Sequence, residues 1–332
     1  MPLPLSVNLK IARHLASARL RGRGPHVPIV LMLELTHACN LHCAGCGRIR
    51  EYAGSQASLT REQARAAMVE AGTPFVSISG GEPLLHSDAP RIAADALSLG
   101  KVVYLCTNGL LLARRLGEFA PHRHFAFNVH LDGPPHIHDA LTGLPGTAER
   151  ALEAIRQAKA AGFAVTVNTT LYRTTPVSDV AALFGQLTEL GVDGLMVAPA
   201  FSYEVGVEAA TLTRSEAHER FRDLGAHWGD KALYHTPLYM QFLRGERDLD
   251  CMPWGTVTYN PQGWKSPCYL LTDTHLPSFD ALMNETDWDA YGPGRDARCT
   301  NCLMHSGFEP SVMNSLQGLP DWIQMVRWQL GR

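Results

Sequence analysis

The sequence predicts an α/β protein built on a partial barrel of six strands and their helices, followed by a cysteine-containing C-terminal extension. Three observations support this fold. Short apolar runs alternate with helical stretches from Pro28 to about residue 200, which is typical of a parallel sheet. Five of the runs become polar on one face toward their carboxyl ends, as strands around a polar lumen would. The composition also changes after about residue 212.

The six runs have strand length, are rich in Val, Ile, Phe and Thr, and end at turn or polar residues. In chain order they are IVLMLELT, FVSISGG, KVVYLCTNG, HFAFNVHLDG, AVTVNTTL and DGLMVAPA. Strands covered by helices on both faces should be apolar on both faces, so the polar face favours a barrel over an open sheet. The polar face carries Glu34 and Thr36, Ser77 and Ser79, Tyr104, Cys106 and Asn108, Asn128, His130 and Asp132, and Thr166, Asn168 and Thr170.

Helix signals lie between and after these runs. A capping box predicts a helix that begins at Thr60, with Gln63 as its partner, and ends near Gly72. A second helix is predicted over residues 147–161, before Gly162, and a third over 213–228. We expect the barrel to span residues 28–229 and a substrate or auxiliary metal region to span residues 230–332, where strand signals are poor.

Residues 1–27 predict a basic amphipathic helix. Its apolar stripe contains Val7, Ile11, Leu15 and Ala18, and its basic residues are Lys10, Arg13, Arg19, Arg21 and Arg23. Such a helix can lie on an anionic membrane surface. The alternative is a helix that packs over the bottom of the domain with its basic face in solvent.

Composition excludes several classes of protein. The 332 residues carry a net charge of −3, which gives no reason to expect nucleic acid as a partner. No apolar run approaches the roughly 20 residues that span a bilayer, and we see no signal peptide. We therefore expect a cytoplasmic protein whose contact with the membrane, if any, is peripheral. In that reducing compartment, clustered cysteines are expected to be metal ligands or catalysts.

Three cysteines, Cys39, Cys43 and Cys46, crowd into the stretch THACNLHCAGCGRIR after the first run. An odd cluster at this spacing cannot be satisfied by disulfides, and it fits zinc poorly because zinc sites pair their ligands. Three thiolates on a 4Fe–4S cluster would leave one iron open to a non-protein ligand. The second run ends in SGGEP, where Gly80 and Gly81 permit close backbone approach and Glu82 can accept a hydrogen bond from an ammonium group.

These motifs resemble those of the radical S-adenosylmethionine (SAM) superfamily over roughly residues 28–200. The resemblance implies a partial (β/α)6 barrel of the TIM type in which Cys39, Cys43 and Cys46 hold a 4Fe–4S cluster that binds SAM and cleaves it to a 5′-deoxyadenosyl radical. It implies SAM contacts from Gly80, Gly81 and Glu82, with Glu82 on the methionyl amine. Ribose and carboxylate contacts are implied for Asn128, His130 and Asn168.

A closer resemblance, to the adenosyl-hopene transferase family, rests on VVYLCTNGLLL, VHLDG, GWKSPCYLL, NETDWDAYG and CTNCLMHSGFEP. It implies addition of the radical to the alkene of diploptene, an apolar polyprenoid, with electrons from a donor such as flavodoxin or ferredoxin. Ser306 stands where that family has a cysteine, and the segment after Tyr203 and Glu204 looks shortened. Both departures lie outside the SAM residues, so they bear on the substrate and on any second metal site.

Cys106 gains a role from this chemistry. Addition to an alkene leaves a carbon radical, and a thiol is well suited to quench it with a hydrogen atom. Cys106 shares a strand face with Asn108, toward the expected lumen. The alternative is a cysteine that serves as a small buried apolar residue. Glu34, also on the lumen face, is either a catalytic group or a structural hydrogen-bond anchor.

Four more cysteines follow in the extension: Cys251, Cys268, Cys299 and Cys302. The pattern C-x11-G-x4-C with C-x2-C resembles the auxiliary clusters of other radical SAM enzymes and suggests a second 4Fe–4S cluster. The alternatives are a structural zinc site, which also accepts four cysteines, or no metal at all. His305 is a candidate to replace one of the thiolates. For the whole protein, the rivals are hydrogen abstraction from a different substrate and a non-enzymatic iron–sulfur or zinc protein.

Overall fold

A computed structural model describes residues 5–20, 24–47, 51–201, 210–229, 233–314 and 316–331. Its sheet has nine strands in the order β6-β5-β4-β3-β2-β1-β7-β8-β9, and β1 to β6 pair in parallel. The six predicted strands are confirmed. The strands are β1 (Val30–Glu34), β2 (Phe75–Ser79), β3 (Val102–Thr107), β4 (Phe125–His130), β5 (Ala164–Leu171), β6 (Gly194–Pro199), β7 (Thr256–Asn260), β8 (Gly263–Pro267) and β9 (Thr272–Leu276).

The helices of the described residues are α1 (Leu5–Leu20), α2 (Arg61–Ala71), α3 (Ala89–Ser98), α4 (Leu112–Arg115), α5 (Pro135–Thr142), α6 (Thr147–Ala160), α7 (Val177–Glu189), α8 (Arg214–Trp228), α9 (Pro237–Arg244), α10 (Phe279–Glu285), α11 (His305–Phe308) and α12 (Leu319–Gln329). Helices α2 to α7 connect the successive parallel strands β1 to β6, as a barrel of β–α units requires. The three helices expected from capping signals are confirmed. Thr60 and Gln63 form the capping box of α2, and Thr213 and Glu216 form that of α8.

The expectation of poor strand content after residue 212 was wrong, because β7, β8 and β9 extend the sheet. Strand β7 pairs in parallel with β1, with Val30 opposite Thr256, and β8 and β9 continue antiparallel. Each of the three has five residues and little apolar periodicity. Pairing onto the edge of β1 and burial of Trp264 stabilise these strands, and neither is a local property of the sequence.

The outward faces of the strands form the main core with the helices. Leu31, Leu33 and Leu35 alternate with the lumen-facing residues and are fully buried, as are Val165 and Val167 on β5. Alanines of α2, α3 and α6 face this layer, which lets the helices pack closely on the sheet. Polar residues of the strands are thereby directed to the lumen, as predicted.

Helix α1 covers the end of the barrel at which the parallel strands begin. Val7 is buried there against Phe75 and Val102, and Ile11 packs on the same small cluster. This packing is the second of the two expected arrangements. Arg21 and Arg23 lie outside the described residues, as do Tyr203 and Glu204. Among the helices that the structure describes, none has the length and apolarity needed to cross a membrane.

Candidate active site

The three clustered cysteines lie in the loop between β1 and α2, beside the carboxyl ends of the parallel strands. Backbone hydrogen bonds within the loop and to α5 help to hold it in place. The Ala44 N–H donates to the Leu141 carbonyl at 2.8 Å, and the Cys46 N–H donates to the Cys43 carbonyl at 3.2 Å. Gly45 is required there, because a Cβ would lie 2.3 Å from the Tyr172 hydroxyl oxygen. The loop is therefore clamped between α5 and the segment after β5.

The cysteine side chains are half-buried and close enough for their charges to act on one another. Burial raises the pKa of Cys39 to about 11 and that of Cys43 to about 12, and each of these values is raised further by the charge of neighbouring cysteines. Metal binding requires thiolates and releases their protons. Three thiols from one loop are a donor set that fits an iron–sulfur cluster.

The donor set suits a cluster in which each thiolate binds a different iron, as in a 4Fe–4S centre. Among the described residues, no group of three or more His, Cys, Asp or Glu side chains is arranged to hold a single metal ion.

Gly80 and Gly81 allow the segment after β2 to touch the cysteine loop. A Cβ on Gly80 would lie 2.5 Å from the Thr36 carbonyl oxygen, and one on Gly81 would lie 2.1 Å from that of Ala38. The Gly81 N–H donates to Thr36 at 2.7 Å, and the Glu82 N–H donates to Ala38 at 2.8 Å. The close approach is thus to the cysteine loop itself, so these glycines fix the position of that loop.

Glu82 is fully buried at the junction of β2 and β3. Its Oε1 accepts hydrogen bonds from the Leu84 N–H at 2.9 Å and the Thr107 hydroxyl at 2.8 Å, and its Oε2 accepts one from the Asn108 N–H at 2.8 Å. Burial raises its pKa to about 7 despite these donors. A carboxylate has about four acceptor positions, so one remains available for an ammonium group.

The lumen between these elements contains buried polar atoms without partners among the described residues: Ser79 Oγ, Asn128 Oδ1 and Thr258 Oγ1. Buried polar groups are nearly always hydrogen-bonded, so these atoms indicate space for a polar ligand. His130 and Asn168 sit side by side in the strand register, next along the chain direction from Asn128. The structure therefore brings Asn128, His130 and Asn168 to adjacent positions of the lumen face.

Comparison with known proteins identifies this arrangement. The model of the radical SAM superfamily matches residues 33–187, and a domain of unknown function, DUF3463, matches residues 195–325. A PqqA peptide cyclase of Streptomyces rochei is 31% identical over 279 residues, which are 77% of this chain and 73% of the relative. The chain belongs to the radical SAM superfamily.

Other similarities agree with this assignment. An AdoMet-dependent heme synthase of Methanosarcina barkeri is 32% identical over 171 residues, covering 50% of this chain and 49% of the relative. The structure of Streptococcus suis SuiB has a TM-score of 0.67 at 13% identity and covers 93% of this chain and 79% of that one. The structure of anSMEcpe with bound AdoMet has a TM-score of 0.59 at 16% identity and covers 92% of this chain and 94% of that one. The partial barrel is thereby confirmed.

The cofactors of this radical SAM protein are a 4Fe–4S cluster and SAM, as in the superfamily. The residues present fit both groups. Cys39, Cys43 and Cys46 supply three thiolates for the cluster, and the lumen offers unpartnered polar atoms toward SAM. The individual SAM contacts predicted for Gly80, Gly81, Glu82, Asn128, His130 and Asn168 stay predictions.

Asp132, which sequence reasoning passed over as a functional group, organises the lumen rim. His130 Nε2 lies 2.7 Å from its Oδ2, and its Oδ1 accepts the Thr170 N–H at 2.7 Å. The Asp132 N–H donates to Nδ1 of the fully buried His138 at 3.1 Å. The pKa of His130 is raised by Asp132 against the opposing effect of burial. Asp132, two residues after the end of β4, therefore fixes the orientation of the His130 ring.

Cys106 faces the lumen in the same register layer as Asn128. Its Sγ lies 3.4 Å from Ser77 Oγ and 3.8 Å from Asn128 Nδ2, and the latter also lies 3.7 Å from Met196 Sδ. Burial raises the pKa of Cys106. The side chain is therefore a neutral thiol in contact with polar atoms of the two neighbouring strands, β2 and β4.

Glu34 belongs to a buried polar network between β1 and β7. Its Oε2 accepts from Asn260 Nδ2 at 3.4 Å, and that same amide lies 2.9 Å from the Tyr52 hydroxyl and 3.1 Å from His275 Nε2. The Tyr52 ring stacks on His37 with a centroid distance of 3.9 Å. These contacts favour the role of structural anchor, since the carboxylate ties the extension to the first strand.

The four cysteines of the extension line one cavity, and Ser306 lines it as well. Burial raises the pKa of each thiol, that of Cys251 to about 12, and the charges of the other cysteines raise three of the four further. Backbone N–H groups of Leu270, Leu271 and Met304 lower the pKa of Cys268 or Cys302 by hydrogen bonding. The His305 ring, considered as a replacement ligand, lies 5.7 Å from the ring of His235.

Proposed function

We propose that the protein is a radical SAM transferase that adds a 5′-deoxyadenosyl group to the alkene of an apolar polyprenoid, with diploptene as the favoured acceptor. The observation that carries the proposal is the neutral thiol of Cys106 on the lumen face, in contact with Ser77 and Asn128. A hydrogen-atom donor inside the barrel is what an addition reaction requires and what a simple hydrogen abstraction does not. The sequence resemblance to adenosyl-hopene transferases supports the same reaction.

When bound, the cluster and SAM supply the 5′-deoxyadenosyl radical. The protein's own part is to position the groups and to finish the reaction. Cys39, Cys43 and Cys46 would hold the cluster, while Glu82 would accept a hydrogen bond from the methionyl amine at its remaining acceptor position. Asn128 Oδ1, buried without a partner among the described residues, would accept one from a hydroxyl group of the ligand.

Cys106 would complete the addition by giving a hydrogen atom to the product carbon. The S–H bond breaks, a C–H bond forms, and a sulfur-centred radical is left on Cys106. This step needs the protonated thiol, and the raised pKa keeps the proton on the sulfur at neutral pH. Ser77 and Asn128 hold the sulfur toward the lumen, where the acceptor would lie.

An apolar acceptor is supported by the sulfur-rich part of the lumen. Met196 lies next to Asn128, and Met32 lies opposite Ser77 in the register of β1 and β2. Thioether side chains adapt to irregular apolar ligands. A polyprenoid lives in membranes, so peripheral contact through α1, which exposes Leu9, would help the protein meet it. An electron donor of the flavodoxin or ferredoxin type would serve the cluster.

The four cysteines of the extension are proposed to hold a second 4Fe–4S cluster. They line one cavity, and their spacing in the sequence resembles that of the auxiliary clusters of other radical SAM enzymes. Four thiolates would fill its ligand positions, which suits structure or electron transfer. Arg298 and Arg295 lower the pKa of nearby cysteines and would offset the negative charge.

The test is anaerobic incubation of the iron-reconstituted protein with dithionite, SAM and diploptene, followed by mass spectrometry. Wild type should give an adenosylhopane. Cys106→Ala and the size-matched Cys106→Ser should still consume SAM but give much less quenched adduct. An unchanged adduct yield in both variants would reject the role of Cys106, and SAM cleavage without any adduct in wild type would reject the transferase activity.

A second candidate is hydrogen abstraction from a peptide. It is favoured by the 31% identity to a protein named PqqA peptide cyclase over 77% of this chain. That activity would produce free 5′-deoxyadenosine in step with peptide modification, and no adenosyl adduct. The same mass-spectrometric experiment with peptide in place of diploptene distinguishes the two, because the mass of the product either includes the adenosyl group or lacks it.

A further inference from the structure

Two tyrosines meet in the barrel below Cys106. The hydroxyl oxygens of Tyr104 and Tyr234 lie 2.8 Å apart, and the rings meet edge to face with a centroid distance of 6.3 Å. Burial raises the pKa of both phenols, that of Tyr104 well above its usual value, so both keep their protons at neutral pH. A pair of neutral phenols in hydrogen-bond contact can pass a proton while an electron moves.

The pair is adjacent to the proposed hydrogen donor. Tyr104 and Cys106 share the lumen face of β3, about 7 Å apart along the strand. Ser77 stands opposite Tyr104 in the register of β2 and β3, and its Oγ lies 3.4 Å from Cys106 Sγ. The charge of Cys106 acts on the pKa of Tyr104, as expected for neighbours. Ser77 therefore lies beside the sulfur and opposite Tyr104 in the neighbouring strand.

The fold makes room for the second ring. Gly194, the first residue of β6, has no side chain, and a Cβ there would lie 2.3 Å from Cδ2 of Tyr234. The Tyr234 N–H donates to the Leu195 carbonyl at 2.8 Å, which holds the ring under the strand. Tyr234 is half-buried, and the nearby Asp193 carboxylate contributes to raising the pKa of its phenol. Asp193 itself forms an ion pair with Lys159 at 2.6 Å. The pair thus leads from the lumen toward the outside of the barrel.

We propose that Tyr104 and Tyr234 form a redox relay that returns the Cys106 sulfur radical to the thiol after each turnover. This inference rests on the proposed role of Cys106. The O–H bond of Tyr104 breaks and the S–H bond re-forms, which leaves a phenoxyl radical on Tyr104. Tyr234 then gives its hydrogen to Tyr104. A one-electron donor of the iron–sulfur or flavin class reduces the Tyr234 phenoxyl radical, and solvent supplies the proton.

The relay is tested with full-length reconstituted protein, SAM, diploptene and dithionite. Tyr104→Phe and Tyr234→Phe keep the ring and remove the hydroxyl, and Tyr259→Phe on β7 is the control. Wild type and Tyr259→Phe should turn over repeatedly. Tyr104→Phe should form one adduct per chain at the wild-type rate and then stop. Stalled Tyr234→Phe should hold a phenoxyl radical, whose electron paramagnetic resonance signal narrows when the tyrosines are ring-deuterated.

The possible outcomes distinguish failure of the relay from failure of the proposed transferase activity. Repeated turnover by Tyr104→Phe at the wild-type level, or a stalled Tyr234→Phe without a phenoxyl signal, would overturn the relay and leave the transferase activity standing. A slowed first turnover in Tyr104→Phe would show that the ring pair serves packing only, which also overturns the relay. Absence of adduct in wild type would overturn both.

Discussion

The Glu82 carboxylate accepts the Asn108 N–H at 2.8 Å, and this hydrogen bond joins the segment after β2 to the end of β3. Asn108 in turn donates from its side-chain amide to Asn40 in the cysteine loop at 2.7 Å. Glu82 is thus connected through one residue to the segment that carries Cys39. Glu82 therefore has a structural role in addition to the proposed contact with SAM.

Replacing Glu82 should weaken the fold around the cluster. Glu82→Gln puts an amide NH2 group where the carboxylate accepts from Leu84, Thr107 and Asn108, so at least one buried donor loses its partner. The expected loss in the free energy of unfolding is about 1–3 kcal/mol. Urea unfolding measures it under anaerobic conditions, and Glu62→Gln, exposed on α2, is the control. Equal stability of the two variants would contradict the structural role of Glu82.

Gly81→Ala should impair cluster assembly. The added methyl would lie 2.1 Å from the Ala38 carbonyl oxygen, so the cysteine loop must move away from β2. We expect a lower iron content after reconstitution, measured as iron bound per chain, with the rest of the fold retained by circular dichroism. Gly117→Ala is the matched control, because a Cβ there meets no atom within 4 Å. Full iron content in Gly81→Ala would show that the loop tolerates the displacement.

Acidification should destabilise the protein through His138. Burial is the main reason why its pKa falls from 6.5 to about 4. Between these pH values the histidine binds a proton in the unfolded chain but not in the folded chain. The free energy of unfolding therefore decreases as the pH falls through this range. His138→Asn keeps an acceptor for the Asp132 N–H but does not titrate.

The measurement is the urea midpoint between pH 7.5 and 5. The stability advantage of wild type over His138→Asn should shrink as the pH falls. His227→Asn, exposed on α8, controls for the loss of a histidine as such. A difference between wild type and His138→Asn that stays constant over this range would argue against a neutral buried ring.

Iron counting distinguishes one metal site from two. With both clusters in place, the reconstituted protein should bind about eight irons per chain, and the double variant Cys299→Ala/Cys302→Ala should bind about four. Cys39→Ala/Cys43→Ala should also lose about four, because the two sites use separate cysteines. Cys106→Ala controls for the loss of a thiol. An unchanged iron count in the first variant, or zinc in elemental analysis of wild type, would rule out the second cluster.

Much of this arrangement was predictable because it depends on local periodicity. The six strands and the helices capped at Thr60 and Thr213 follow from patterns a few residues long, and the polar face of each strand predicted that Cys106 and Asn128 face the lumen. The resemblance to radical SAM enzymes was confirmed at the level of the superfamily. The hopanoid acceptor stays a proposal, since a substrate is chosen by the shape of the lumen rather than by the cofactor motifs.

By itself, the sequence determined the β–α order, the cysteine triplet, the glycine pair and the polar strand faces, because each depends on residues close together in the chain. Only the tertiary structure decided that β7 joins β1, that Asp132 orients His130, and that Tyr234 fits beneath Gly194 to meet Tyr104. The contacts of β7 with β1 and of Tyr234 with Tyr104 join separate elements of the chain, 226 and 130 positions apart. Packing and the need to hydrogen-bond buried polar groups select these partners, and neither can be predicted from a short stretch of sequence.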